Sequence, residues 1–154
     1  MQRSGRAGKV FDEGEFEATH DAAAIERAAC GGIGALTAIS LDKHLWVCCG
    51  IESSHNPILD AGDLNEISVV DALKKVADNV ILTAIHTVGA HALIRFVKDK
   101  NPTITFKNQY FAICEVCGDL TTNEKAVRIL NSNLLTLFKM IKEAEQMLKE
   151  GKSK

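Results

Sequence analysis

The sequence lacks a run of roughly 18 or more apolar residues, any clear surplus of one charge, and any complete catalytic or binding motif. Each absence excludes a class of function. Without a long apolar run, no membrane span is expected. Arg3, Arg6 and Lys9 open the chain, but no apolar block follows them to complete a secretory signal. A formal net charge of -2 gives no electrostatic footprint for nucleic acid, so DNA or RNA binding is not expected. No repeat of about 20 to 50 residues and no low-complexity tract is visible, which excludes solenoids and propellers. The expectation is a cytoplasmic protein.

What is present is the composition of an ordinary globular chain: 154 residues, 46% hydrophobic and 25% charged. One domain of this size buries about two thirds of its unfolded surface. The five cysteines are an odd number in a chain without a secretory signal, so a disulfide framework is not expected. Most sit in apolar surroundings, such as Trp46-Val47-Cys48-Cys49, and are read first as small core residues.

Residues 1–18, with Gly5, Gly8 and Gly14 and few apolar anchors, predict a mobile arm. Asp21 can cap a short alanine-rich helix that Gly31-Gly32 ends. The runs Ile33 to Ser40 and Leu45 to Ile51 predict a β-hairpin, apolar enough to be covered on both faces. Glu52 to Asn65 reads as a long loop. A helix is predicted from Glu66, with Ser68 and Asp71 as an Asp form of the capping box, thinning in charge beyond Asn79 and breaking at Gly89.

His91 to Lys98 fits a strand or a continued helix, with a slight preference for the strand. Asn101-Pro102 is a boundary. Thr103 to Phe106 and Tyr110 to Cys117 predict two more strands. Thr121 with Glu124 then opens a helix of about 28 residues, about 42 Å long, with Val127, Leu130, Leu134, Phe138, Ile141, Ala144 and Leu148 as its stripe. Leu135, Leu137 and Met140 lie outside that stripe, so part of the helix is expected to pack on another subunit. Leu130, Leu134, Leu137, Phe138 and Ile141 are the interface candidates. The predicted architecture is α+β: a single two-layer domain over 19–150, an antiparallel sheet of about five strands with helices, a long C-terminal helix, and a disordered tail at 151–154.

Cys114-Glu115-Val116-Cys117 is the only pair of thiols at a recognised ligand or redox spacing. A closed zinc site takes four ligands, and the second pair is missing. On one strand the two side chains would point to opposite faces, with Cys114 in the core and Cys117 at an exposed strand end. A redox CxxC sits at a helix N-terminus, and the predicted helix starts only near Thr122. Core packing is therefore favoured over metal or ligand contact, and both over redox chemistry. His44 follows a turn and is expected to be solvated; His86 is read as a core histidine. In the long loop, Ser53, Ser54, His55 and Asp60 are residue types of a nucleophile, base and orienter, and with Cys117 they are the ligand-binding candidates, against the plainer reading of a surface loop. No cofactor is specified.

The predicted order (helix, two strands, loop, helix, three strands, long helix) resembles the small α/β domains of the roadblock and longin type over roughly residues 20 to 148. It resembles profilin-like sensing domains more loosely. The resemblance implies dimerisation by sheet extension and helix packing, and service as a platform for small GTPases or motor and trafficking complexes. A homo-oligomeric interaction or scaffold module is thus the first expectation. The alternative is a small-molecule or metal site, as a binding domain or as an enzyme with its site at a subunit interface, built from Cys114, Cys117, His55 and the loop after Ile51, with the hairpin as its wall.

Overall fold

A computed structural model describes residues 29–48, 56–110 and 112–151. The short helix expected after Asp21, the N-terminal arm and most of the tail lie outside these residues. Three strands are described, β1 (Ala38–Ile39), β2 (His44–Trp46) and β3 (Asp60–Asp63). They form one antiparallel sheet in the order β1-β2-β3, with Ala38 opposite Trp46 and His44 opposite Asp63. The hairpin is present but, among the described residues, much shorter than predicted; residues 49–51 of its second run lie outside them. Lys43, at φ 65°, makes its turn, and Ser40 closes it by accepting from the His44 amide at 3.0 Å. The third strand arises within the segment read as loop.

The helices described are α1 (Val69–Ala77), α2 (Val80–Thr87), α3 (Ala90–Lys100), α4 (Ile113–Thr122), α5 (Glu124–Ser132) and α6 (Leu134–Lys149). The architecture is a helical majority around a small sheet, which corrects the expected sheet of about five strands. His91 to Lys98 lies in α3, Tyr110 to Cys117 runs into α4, and Thr103 to Phe106 forms no strand. Burial explains these outcomes. Ala90, Leu93, Ile94 and Val97 are all buried at the i, i+3, i+4, i+7 spacing of one helix face, as are Val116, Cys117 and Leu120 on α4. Packing of that face outweighs the local strand preference of β-branched residues and cysteine. The element order that carried the roadblock resemblance is not the order observed.

Helix boundaries follow local chemistry. Ser68 caps α1 by accepting from the Asp71 amide at 3.1 Å, as the sequence predicts. Asn79 ends that helix and caps the next, its side chain accepting from Ile81 and Leu82. Gly89, at φ 96°, takes a conformation that favours glycine and turns α2 into α3 through 116°. The single long C-terminal helix is replaced by the end of α4, α5 and α6. Asn123 is extended (φ -80°, ψ 99°) and its side chain accepts from the Ala126 amide, so it is the cap in place of Thr121. Asn133 interrupts the chain again, with its side chain donating to the Ile129 carbonyl at 2.8 Å.

In α5 the buried positions are Ala126 and Leu130; in α6 they are Leu137 and Ile141, not Leu134 and Phe138. α6 packs chiefly on α2, α3 packs on α4 and α5, and α1 lies on β3. The core runs from Leu45, Val47 and Leu59 at the sheet through Ile85, Leu93 and Leu120 to Leu137. Each such leucine or isoleucine stabilises the fold by about 1.5–3 kcal/mol. No single helix among the described residues is long and apolar enough to cross a membrane.

Candidate functional site

Sheet geometry brings His44 and Asp60 together. They sit on neighbouring strands, β2 and β3, where an irregularity between Leu45 and Trp46 shifts the register. His44 Nδ1 donates to Asp60 Oδ2 at 2.7 Å, and the other Asp60 oxygen accepts from the Gly62 amide at 2.8 Å. Both oxygens of the carboxylate are therefore held in place. The His44 ring stacks on Trp46 with centroids 5.9 Å apart and planes 24° from parallel. The hydrogen bond to Asp60 holds the imidazole above its ordinary value of 6.5, with burial acting in the opposite direction and the charges of Asp60, Asp42 and Asp63 adding to the rise. His44, expected to be simply solvated, is instead an oriented and half-buried acid–base group.

Asp42, His44, Trp46, Asn56, Pro57 and Asp60 line a cleft of about 330 Å³. Its wall is the hairpin and part of the segment after Ile51. Asn56 is buried, and its side chain both accepts from the Ile58 amide at 3.1 Å and donates to Thr121 Oγ1 at 2.6 Å. A cleft of this size suits a small ligand, with a ring face at Trp46 and an imidazole–carboxylate pair able to donate or take a proton. A larger, open depression of about 610 Å³ between α3 and residues 102–108 is bordered by Lys98, whose ammonium lies 5.8 Å from the Phe106 ring centre.

Of the predicted ligand-binding residues, Asp60 is in the cleft and Cys117 is in the core of α4. Ser53, Ser54 and His55 lie outside the described residues. Among the described residues no group of three or more His, Cys, Asp or Glu side chains could hold a metal ion, so a metal site at Cys114 and Cys117 gains no further ligands. The expected orientation of that pair is reversed. Cys114 is exposed, Cys117 is buried, and both lie on a helix. Burial, with smaller contributions from the neighbouring thiols Cys30, Cys48 and Cys114, pushes the Cys117 thiol up to about 12. His86 is exposed, and its Nδ1 lies 2.9 Å from the Cys30 carbonyl oxygen.

The interface candidates divide. Leu130, Leu137 and Ile141 are spent inside the chain's own core, whereas Leu134 and Phe138 are exposed beside Leu135. The Phe138 ring carries its own Lys142 ammonium 5.5 Å from its centre. The sequence signal for His44 was available only as an alternation of polar and apolar residues around Leu45; its pairing with Asp60, sixteen residues away, requires the third strand. A scan against protein-family models and a search of curated proteins both return no match for this chain.

Proposed function

We propose that this chain is an interaction module that pairs with a second copy of itself through the first two turns of α6. The observation that carries the reading is the exposure of three large apolar side chains on that helix: Leu135 is 84%, Phe138 51% and Leu134 40% exposed. At i, i+1 and i+4 they span about 100° of the helix surface, beside the face that buries Leu137 and Ile141. A contiguous apolar patch at a helix start, followed by charges of both signs at Lys139, Lys142, Glu143 and Glu145, is self-complementary when two copies meet about a two-fold axis. Antiparallel pairing then sets Leu135 of one copy against Phe138 of the other. Light scattering after size exclusion tests this. A dimer that becomes a monomer in Leu135→Asp and Phe138→Asp, with unchanged circular dichroism, is the expected result; a wild-type chain monomeric at every concentration would remove the reading.

A second reading has its own observation, the His44–Asp60 pair in the Trp46 cleft. It makes the chain a small-molecule-binding domain, with His44 exchanging a proton with the ligand. Trp46 is the only tryptophan, so its emission reports the cleft directly. A fragment library that quenches Trp46 in the wild type and not in His44→Ala supports this reading. Equal responses from both proteins would count against it.

A further inference from the structure

The helical placement of Cys114 and Cys117 removes the geometric objection to their acting together. Cysteines three apart on a strand face opposite ways, but on an α-helix they lie about 60° apart around the axis and about 4.5 Å apart along it. With Cα atoms on a cylinder of radius about 2.3 Å, their separation is about 5 Å, inside the roughly 4.4–6.8 Å window for a disulfide. The pair occupies the beginning of α4, whose preceding residue Ala112 is extended (φ -150°, ψ 153°). Only the first turn has to yield to close the bond. The two thiols also differ in access: Cys114 is exposed, and Cys117 is 6% exposed.

We infer that Cys114 and Cys117 form a reversible dithiol–disulfide switch, with Cys114 as the attacking thiol and Cys117 as the resolving one, driven by an external disulfide. Cys114 loses its proton and its thiolate attacks one sulfur of that disulfide; the external S–S bond breaks, a mixed disulfide forms, and the first external thiolate departs and takes up that proton. Cys117 then loses its proton and attacks the Cys114 sulfur, expelling the second external thiolate, which is protonated in turn. Two protein thiols are oxidised to one disulfide as one external disulfide is reduced to two thiols. The buried Cys117 thiol, pushed up to about 12, makes the second step slow and accelerates it as pH rises.

Among the described residues, Cys30 and Cys48 lie near enough to influence Cys117 and are the competing partners. The full chain is incubated with oxidised glutathione at pH 7 and pH 9, quenched, and mapped without reduction by mass spectrometry. The expected result is a glutathione adduct on Cys114 that converts to a Cys114–Cys117 disulfide at least tenfold faster at pH 9. Cys114→Ser, a change at an exposed position, should abolish both products. A persistent Cys114 adduct with Cys117 still alkylatable would overturn the inference, as would a disulfide from Cys117 to Cys30 or Cys48, or loss of two thiols in Cys114→Ser.

Discussion

Asn56 donates its side-chain amide to the Thr121 hydroxyl at 2.6 Å, across 65 residues of sequence, and Thr121 in turn donates to the Cys117 carbonyl at 2.6 Å. This relay fastens the cleft wall to the helix that carries the cysteine pair. Both side chains are buried, so neither can exchange its partner for water.

Asn56→Ala should therefore cost about 1–3 kcal/mol, because the Ile58 amide and the Thr121 hydroxyl both lose a buried partner. Urea denaturation followed by circular dichroism measures it. A midpoint unchanged within error would show that the relay contributes nothing to the fold.

The His44–Asp60 pair predicts a specific pH dependence. His44 titrates above 6.5 in the folded chain, so its contribution to stability is fully present below about pH 6.5 while Asp60 is ionised, and is lost as pH rises through the raised folded value. An NMR titration should place the His44 midpoint above 6.5 in the wild type and lower it in Asp60→Asn. Trp46 emission, from the ring stacked on His44, should follow the same midpoint.

Adjacent apolar residues on α6 should behave oppositely. Leu137 is fully buried and Leu135 is 84% exposed, two residues away. Leu137→Ala should destabilise by about 2–5 kcal/mol through lost burial and a cavity. Leu135→Ala should stay within about 0.5 kcal/mol at concentrations where the chain is monomeric. Thermal or urea melts of the two variants at low concentration distinguish them, and equal losses would contradict the assignment of faces.

Gly62 is constrained twice over. Its φ is 135°, and a Cβ there would sit 2.6 Å from the Ile67 Cδ1 atom. Its amide also holds Asp60 for His44. Gly62→Ala should cost about 1–3 kcal/mol and lower the His44 midpoint, which a merely local loss of stability would not do. Melting and the same NMR titration check both effects.

Much of the local punctuation was legible in the sequence. Ser68 as a cap, the break at Gly89, the boundary at Asn101-Pro102 and the hairpin turn before His44 all depend on neighbours a few residues away. The helices at Ala90 and Ile113 were also encoded, in the i, i+3, i+4, i+7 spacing of Ala90, Leu93, Ile94 and Val97, and of Ile113, Val116, Cys117 and Leu120. They were hidden because β-branched and cysteine-rich windows favour a strand until the next apolar residue is counted. Asn123 and Asn133 gave little warning, since asparagine is tolerated within a helix as well as at its cap.

The sequence by itself determined the absence of a long apolar span, the near-neutral charge, the capping and turn positions and the CxxC spacing, because each is a property of composition or of adjacent residues. Only the tertiary structure decided that Cys114 is exposed and Cys117 buried, that Leu134 and Phe138 face outward while Leu137 and Ile141 face α2, and that His44 meets Asp60. Those outcomes depend on which helix face finds a partner and which strands pair. Burial against distant residues, a sum over many contacts of about 25 cal/mol per Å², outweighs the fraction of a kilocalorie by which local preference separates helix from strand.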